Sequence, residues 1–294
     1  MTDARIGNCD EDVLPALLHE AFGFERFRAG QERVCRAAVA GRDLLLVMPT
    51  GAGKSLCYQL PAVARGGTAL VISPLIALME DQAAKLAQLG LRVARIHSGL
   101  DRSAARRACA EYLRDELQFL FIAPERLRVP GFVEMLAKRQ LSLIAVDEAH
   151  CISQWGHDFR PDYWMLGEHL PRLRGTEVTP VIALTATATP AVQADILKQL
   201  GMVRPQRFIH GFRRENLAIE VVEVAVPERP AVICSLLGNA ARRPAIVYAT
   251  SRKQAENLAE QLAQGAQIAA AAYPRGAGRE NARTRTDGLP GGDP

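Results

Sequence analysis

Cysteine is scarce in this sequence and follows no pattern typical of a metal site. The six cysteines stand at positions 9, 35, 57, 109, 151 and 234, and none belongs to a Cys-x-x-Cys pair. Such scattered cysteines indicate neither a zinc site nor a disulfide framework, and they are typical of free thiols in a reducing compartment. We therefore expect no zinc site in this chain.

Long apolar segments are also missing. No apolar run approaches the roughly 18 residues that a membrane-spanning helix requires. The polar and acidic beginning, MTDARIGNCDEDV, does not have the pattern of a signal peptide. These absences predict no membrane partner and favour a cytoplasmic location.

Neither sign of charge dominates. The formal net charge of +4 at pH 7 permits a nucleic-acid partner but does not require one, because many soluble proteins have a similar balance. The chain has 294 residues, of which 48% are hydrophobic. That composition is enough for one sizeable core and part of a second.

Short apolar runs alternate with helical patterns along most of the chain. The runs lie at 44–48, 69–72, 119–122, 143–146 and 181–184. Each is too short for a helix and is bounded by polar or turn residues, which predicts buried strands. Helical patterns at 75–89 and 103–117 stand between them. The alternation predicts an α/β fold whose mostly parallel sheet is covered by helices on both faces.

The pattern also divides the chain into three parts. A break near residues 203–206 separates a first domain, 1–205, from a second set of elements with strands at 219–224 and 245–248 and a helix at 253–263. We predict that 206–273 form a partial second domain. Residues 274–294 contain a single large apolar residue and cannot offset their ordering entropy, so we expect a disordered tail.

A glycine-rich turn, MPTGAGKSLCYQL, follows the first apolar run. Between a strand and a helix, such a turn lets backbone N–H groups surround phosphates, and the helix N-terminus favours negative charge. Lys54 is predicted to reach the terminal phosphates and Ser55 to ligate Mg²⁺. Met48 stands where the common pattern has glycine, and a chance glycine turn is the alternative. The predicted nucleotide-binding residues of the turn are Thr50, Gly51, Gly53, Lys54 and Ser55.

Two adjacent carboxylates, Asp147 and Glu148, follow the apolar run at 143–146. Parallel α/β sheets bind ligands at the carboxyl ends of their strands. Asp147 is predicted to hold Mg²⁺, and Glu148 to orient and deprotonate an attacking water. A solvated acidic loop is the alternative, but it does not explain why the carboxylates occur together with the glycine turn.

The glycine turn and the DEAH run resemble the paired motifs of superfamily 2 helicases, and the flanking segments resemble the RecQ family of ATP-dependent DNA helicases. The similar segments occur in the family's order over roughly 14–273. They are FGFERFRAGQ, VISPLIALMEDQ, APERL, DEAHCISQWGHDFRPDY, ALTATAT, FRREN and AIVYATSRKQAENLAEQL.

The resemblance implies two tandem RecA-like domains, the second incomplete, that use ATP and Mg²⁺. It further implies that the partner is DNA, single-stranded and partly duplex, and that the reaction is 3′-to-5′ unwinding in recombination and repair. If the protein is bacterial, we expect it to be associated with the nucleoid. An RNA helicase of the same superfamily is the alternative, against which the SQWGHDFRPDY run argues.

The resemblance also assigns roles to single residues. Gln31 resembles the glutamine that reads the adenine edge, with Phe24 and Arg28 packed against the base. Ordinary packing on a helix surface is the alternative for these three. His150 is expected to act with the catalytic residues and to link the nucleotide site to the rest of the motor. Thr185 and Thr187 would relay the nucleotide state, or else bond locally at a strand end.

The run after the carboxylates resembles the family's aromatic-rich loop. Aromatic rings stack on unpaired bases with little base preference, and arginine contacts phosphate or stacks as a cation. An aromatic cluster within the core is the alternative. The predicted DNA-binding residues are Ser153, Gln154, Trp155, His157, Phe159 and Arg160, with Tyr163 as a further aromatic side chain of the loop.

The sequence after Tyr273 departs from the motif pattern of the family. Two motifs expected there, one for DNA contacts and one with arginines that complete the ATP site, have no counterpart in PRGAGRENARTRTDG. We hypothesise a truncation, a frameshift or an equivalent sequence error near Pro274. On this hypothesis the chain is impaired, and a non-unwinding fragment that binds ATP and DNA is the alternative function.

Overall fold

The structure is a computed structural model that describes residues 13–155, 158–175, 179–202, 204–211, 218–265 and 267–272. It separates into two compact units, Met1–Arg214 and Glu215–Pro294. Within the described ranges, no helix has both the length and the apolar character needed to cross a membrane. The predicted tail at 274–294 lies outside the described residues.

A seven-stranded parallel sheet forms the centre of the first unit, in the order β3-β4-β2-β5-β6-β1-β7. All five predicted strands of this unit form. The strand β3 was not predicted, because its sequence VARI is short and includes an arginine. The strands are β1 Leu44–Val47, β2 Thr68–Ile72, β3 Val93–Ile96, β4 Phe119–Ile122, β5 Leu141–Val146, β6 Val181–Thr185 and β7 Gln206–Ile209.

Helices connect the strands of the first unit. The predicted helices at 75–89 and 103–117 correspond to α4 and α5. Helix α5 ends earlier than predicted because Asp115 adopts a left-handed conformation, φ 63°. The helices are α1 Val13–Phe22, α2 Gln31–Val39, α3 Leu56–Arg65, α4 Ile76–Gln88, α5 Arg102–Leu113, α6 Phe132–Leu136, α7 Pro161–Trp164, α8 Leu166–Leu173 and α9 Pro190–Gln199.

Both faces of the sheet are buried, as predicted. Successive side chains of a strand point to opposite faces. In β1, Leu44 and Leu46 pack with residues of α1 to α4, whereas Leu45 and Val47 pack with residues of α5 to α9. Because β5, β6 and β1 are neighbours in the sheet, the loops that follow these three parallel strands emerge at one edge. The glycine turn, the two carboxylates and Thr187 stand in these loops, whereas Phe24, Arg28 and Gln31 lie before or at the start of α2.

Strand β7 lies beyond the predicted domain boundary after residue 205. Strand β7 pairs with β1 along its whole length, from Leu44 opposite Gln206 to Val47 opposite Ile209. It therefore belongs to the first sheet, and the first unit extends to Arg214. The sequence QRFI of β7 is largely exposed, so it does not stand out as a buried run. Its place is set by backbone hydrogen bonds to β1, which sequence periodicity does not reveal.

The second unit contains helices α10, Arg229–Gly238, and α11, Arg252–Gly265, the latter matching the predicted helix at 253–263. The strands predicted at 219–224 and 245–248 are not formed among its described residues. Apolar side chains there are exposed, including Ile219, Ile246 and Tyr248. A strand needs a partner backbone to satisfy its N–H and C=O groups, and an apolar sequence alone does not supply one. The FRREN segment falls at 212–216, outside the described residues.

Candidate functional site

The glycine turn lies between β1 and α3, where a phosphate-binding loop is expected. Gly51 and Gly53 have φ values of 81° and 87°, a region that residues with a Cβ rarely adopt. A Cβ on Gly53 would also lie 2.4 Å from the Nε2 atom of Gln31. Lys54 and Ser55 follow and are half-buried, and α3 begins at the next residue. The N-terminus of α3 therefore adds its partial positive charge to that of Lys54.

Gln31 and Arg28 clamp this turn from the side. The Gln31 amide is buried, and its Nε2 donates to the carbonyls of Gly53, at 3.1 Å, and Ala52, at 3.4 Å. Its Oε1 accepts from the Arg28 backbone N–H at 2.8 Å, while the Arg28 guanidinium donates to the Gly51 carbonyl at 2.7 Å. Both carbonyls thus compete for the Nε2 protons, so donation from Gln31 to adenine N7 requires the amide to exchange one of these partners, whereas Oε1 can still accept a second bond. Phe24, four residues before Arg28, has a side chain that is 50% exposed.

Asp147 and Glu148 follow β5, and their environments separate their pKa values. Burial and the adjacent Glu148 charge raise the pKa of Asp147 to about 6. A hydrogen bond to His150 is the main cause that lowers the pKa of Glu148. The Lys54 charge lowers the pKa of both carboxyl groups, which places it within electrostatic range of the pair. Glu148 has the unusual φ of 48°, a conformation that is common at functional sites.

His150 connects Glu148 to the end of β6. Its Nδ1 atom lies 3.3 Å from Glu148 Oε2 and 2.9 Å from Thr185 Oγ1. The Thr185 hydroxyl also donates to the Thr187 carbonyl at 3.0 Å and accepts from the Thr187 N–H at 3.3 Å. The structure thus brings the two threonines, the histidine and one carboxylate together, with Thr187 contributing through its backbone.

The predicted DNA-binding loop begins with one anchored residue and two exposed ones. The Ser153 hydroxyl is buried, donates to Asp195 Oδ2 at 2.8 Å and accepts from the Trp155 N–H at 3.2 Å. Gln154 is exposed, and the Trp155 side chain is 79% exposed. An indole ring fixed through its backbone and open to solvent is suited to stacking on a base.

The remainder of the loop is less open. Phe159 is half-buried and makes an edge-to-face contact with Trp164, with ring centroids 6.5 Å apart. The Arg160 guanidinium donates to the Pro74 carbonyl at 3.1 Å and pairs with Asp158 at 3.0 Å. His157 lies outside the described residues.

Residues 28–196 match the DEAD/DEAH box helicase family. This range is more than half of the 294-residue chain, and it contains the glycine turn, both carboxylates and the two threonines. The chain belongs to the DEAD/DEAH box helicase family.

Curated relatives of this helicase chain confirm the resemblance to the RecQ family. It is 38% identical over 263 residues to the ATP-dependent DNA helicase RecQ of Pasteurella multocida, covering 88% of this chain and 40% of that protein. It is 40% identical over 262 residues to the RecQ of Bacillus subtilis, covering 89% and 44%. The chain thus spans about two fifths of the length of these relatives.

Solved structures confirm the helicase fold. The DUF1998 helicase MrfA matches 99% of this chain and 46% of its own, with a TM-score of 0.65 and 18% identity. The Hef helicase domain of Pyrococcus furiosus matches 89% of this chain and 54% of its own, with a TM-score of 0.52 and 20% identity. At these identities the similarity shows the fold alone: RecA-like parallel-sheet architecture, with a second domain that is incomplete in the described residues.

Within the helicase site, Tyr163 differs from the sequence prediction. Its side chain is fully buried, and its hydroxyl donates to the Asp147 carbonyl at 2.8 Å. The interpretation of Tyr163 as a stacking residue is therefore wrong, because its ring is not accessible to a base. The residue instead supports the backbone of Asp147.

Two buried residues of the helicase site were missed from the sequence. The Tyr58 hydroxyl donates to the Gln82 side chain, whose amide hydrogen-bonds the Asp147 carboxylate and lowers its pKa. Gln82 ends the VISPLIALMEDQ segment, and Tyr58 follows the glycine turn. Their positions in matching segments were the available signal. Gln82 reaches Asp147 because β2, which precedes the helix of Gln82, pairs with β5, which precedes Asp147.

A basic cleft of about 500 Å³ was also missed. It lies at the carboxyl end of β3 and beside α5, and three arginines line it: Arg102, Arg106 and Arg126. The Arg126 guanidinium also lies 5.6 Å from the centre of the Phe132 ring, which fixes its position. The planar guanidinium group of arginine can donate two parallel hydrogen bonds to phosphate oxygens and carries the opposite charge, so the cleft is suited to an anion.

Proposed function

We propose that this chain is the motor portion of a RecQ-type DNA helicase, in which ATP hydrolysis drives 3′-to-5′ unwinding for recombination and repair. One observation carries the proposal. Lys54 at the end of β1 lies within electrostatic range of Asp147 and Glu148 at the end of β5, and Glu148 is linked through His150 to Thr185 on β6. At one edge of the sheet, Lys54 is therefore placed to bind phosphate, Asp147 to ligate a metal ion and Glu148 to act as a base. The His150–Thr185 hydrogen bond links Glu148 to β6.

The residues present fit Mg-ATP. Oxygen donors suit Mg²⁺, and Ser55 and Asp147 supply a hydroxyl and a buried carboxylate, whose pKa is raised by its burial and by the adjacent Glu148 charge. When bound, Mg²⁺ neutralises charge on the transferring phosphate. Lys54 would bind the phosphates. Glu148, whose pKa is lowered by its hydrogen bond to His150, stays ionised at neutral pH and can accept a proton from water.

DNA is the proposed partner because stacking and phosphate-binding surfaces occur on the same unit. Trp155 offers an exposed ring worth roughly 1–3 kcal/mol per stacked base. The cleft of Arg102, Arg106 and Arg126 offers positive charge for a backbone. We propose single-stranded and partly duplex DNA as the substrate. An RNA substrate is the alternative that the experiment below distinguishes.

A second candidate function is a module that binds ATP and DNA without unwinding. One observation favours it: the described residues of the second unit contain helices α10 and α11 but no strand. In related phosphoryl-transfer sites, arginines supplied by a second domain stabilise charge on the transferring phosphate and increase the rate by a factor on the order of 10³–10⁵. A module without such arginines would hydrolyse ATP slowly and would not separate the strands of a duplex.

Hydrolysis and strand displacement distinguish these candidates. ATPase rates are measured with no nucleic acid, single-stranded DNA and single-stranded RNA, and displacement is measured on duplexes with a 3′ or a 5′ tail. The helicase proposal expects stimulation by DNA and displacement on the 3′-tailed duplex alone. DNA stimulation without displacement supports the non-unwinding module. Stronger stimulation by RNA than by DNA contradicts both candidates.

The DNA contact has a direct fluorescence test, since the chain has two tryptophans. In Trp164→Phe, Trp155 is the single indole. We expect single-stranded DNA to quench its emission with strong salt dependence. The reciprocal variant, Trp155→Phe, leaves Trp164, which is 39% exposed and packs edge-to-face on Phe159, and should show less quenching. Equal quenching in both variants would contradict the assignment of Trp155.

A further inference from the structure

Three side chains of different chemistry converge directly after the catalytic carboxylates. Cys151 Sγ lies 3.8 Å from His150 Nε2 and 3.6 Å from Asp158 Oδ2. The three ligating atoms all lie within 4.8 Å of one another, and the site is empty. His150 and Cys151 are buried, whereas the Asp158 side chain is 45% exposed and gives access from solvent. We propose that His150, Cys151 and Asp158 form a binding site for one zinc-class divalent cation.

The spacing of the donor atoms fits such a cation. Zinc binds thiolate at about 2.3 Å and imidazole or carboxylate at about 2.0–2.2 Å, in a tetrahedron whose ligand atoms are therefore about 3.3–3.7 Å apart. The two separations at Cys151 already lie close to that range. A rotation of the partly exposed Asp158 side chain would bring its carboxylate oxygen closer to His150 Nε2, and a water molecule would occupy the fourth coordination position of the metal. A thiolate and an imidazole select zinc, cobalt or cadmium over Mg²⁺, which prefers oxygen.

The neighbours of His150 orient it for this role. Its Nδ1 atom faces Thr185 Oγ1 at 2.9 Å and Glu148 Oε2 at 3.3 Å, while Nε2 points to Cys151. A carboxylate on the far nitrogen of a metal-binding histidine fixes the ring and raises its basicity. The sequence prediction of no zinc site rested on cysteine pairs, and a site built from three residue types has no such signature.

Binding at this site replaces the present contacts of Cys151 with His150 and Asp158 by bonds to the metal. The Cys151 S–H bond breaks, a sulfur–metal bond forms, and the proton passes to solvent. Asp158 exchanges its ion pair with Arg160, at 3.0 Å, for the metal. The cation would thereby cross-link the segment after β5 to the loop that carries Phe159 and follows Trp155. Its regulatory consequence, slower DNA-stimulated ATP hydrolysis, rests on the proposed function, whereas the binding itself does not.

Cobalt titration of the purified chain, in Mg²⁺-containing buffer, tests the binding directly. We expect one equivalent of Co²⁺ to produce the near-ultraviolet absorption of a thiolate–cobalt bond. Cys151→Ser should abolish it, and Cys234→Ser, which changes a half-buried thiol on α10, should leave it unchanged. Absence of the band from the parent chain, or its persistence in Cys151→Ser, overturns the proposal.

A second variant covers the case in which Cys151→Ser does not fold. Asp158→Asn changes a side chain that is 45% exposed, and its fold can be verified by thermal melting. We expect its Co²⁺ affinity to fall by about tenfold or more. An unchanged affinity overturns the assignment of Asp158. In the ATPase arm, Zn²⁺ should inhibit the DNA-stimulated rate of the parent chain but not of Cys151→Ser. A cobalt band in a chain without ATPase activity supports the metal site while contradicting the proposed function.

Discussion

The Nδ1 atom of His150 lies 2.9 Å from the hydroxyl of Thr185, so a hydrogen bond joins the segment after β5 to the end of β6. We predict that Thr185→Val uncouples ATP hydrolysis from DNA. Valine keeps the shape of threonine and removes the bond, so nucleotide binding should persist. DNA stimulation of the ATPase should fall by about tenfold, within the usual range of coupling free energies.

Thr187→Val is the matched control for this prediction. Thr187 is exposed and contacts Thr185 through its backbone, which the substitution keeps. It should retain DNA stimulation, and Thr185→Ser, which restores a hydroxyl, should recover most of it. Equal losses in Thr185→Val and Thr187→Val would mean that the strand end matters and the hydrogen bond does not.

Lys54→Ala should weaken Mg-ATP binding by about 10- to 100-fold, the effect of losing a charge-assisted hydrogen bond of about 1.5–3 kcal/mol. Hydrolysis should be lost as well. Isothermal titration with a non-hydrolysable ATP analogue measures the affinity. Lys85→Ala is the control, because Lys85 is an exposed residue of α4 paired with Asp81. Unchanged affinity in Lys54→Ala contradicts the phosphate assignment.

Asp147→Asn should stabilise the metal-free protein at pH 7. Because the folded pKa of Asp147 is raised from 3.8 to about 6, its ionised form is penalised on folding. The penalty is fully present above the folded pKa and disappears below the unfolded one, so stability should fall as pH rises through this window. With about 1.4 kcal/mol per pKa unit, we expect a gain of about 1–3 kcal/mol at pH 7.

Urea unfolding from pH 4 to pH 8 in the presence of a chelator tests this prediction. The difference between Asp147→Asn and the parent chain should shrink toward zero near pH 4. Asp81→Asn, which changes an exposed carboxyl group on α4 in the same way, is the matched control. A variant that is less stable than the parent at pH 7 would show that the carboxylate has an uncounted stabilising partner.

Gln31→Ala should reduce the preference for ATP over GTP and loosen the glycine turn. The substitution removes donors to the Gly53 and Ala52 carbonyls, at a cost to stability of about 1 kcal/mol per bond. Nucleotide competition measures the preference, and Gln88→Ala, at the exposed end of α4, is the control. If stability falls while base preference stays the same, Gln31 serves the turn alone.

Strands with strong local signals were predictable from the sequence. β1 and β5 are continuous apolar runs followed by turn-forming or charged residues, so both the strands and the residues at their ends could be located. β7 could not, because its sequence QRFI is mostly exposed and its position depends on pairing with β1. The segment at 245–248 shows the converse, since an apolar sequence without a partner forms no strand there.

Side-chain roles were less predictable than strand positions. Trp155 and Tyr163 stand in one aromatic run, yet the first is exposed and the second fully buried. Sequence spacing cannot make this distinction, because Tyr163 is drawn into the core by its place on α7, which packs against the segment after β5. Gln82 contacts Asp147 only because β2 and β5 are neighbours, and the strand order of a sheet is a property of the whole fold.

The pairing of β7 with β1 also determines where the chain leaves the first sheet. His210 follows β7, and its N–H donates to the Val47 carbonyl at 2.8 Å. Its ring packs so closely on Gly30 that a Cβ there would lie 2.2 Å from it. Gly30 directly precedes Gln31, which clamps the glycine turn. The residue that follows β7 therefore packs directly before the side chain that holds the glycine turn, so a displacement of His210 should be felt at Gln31 and at the turn.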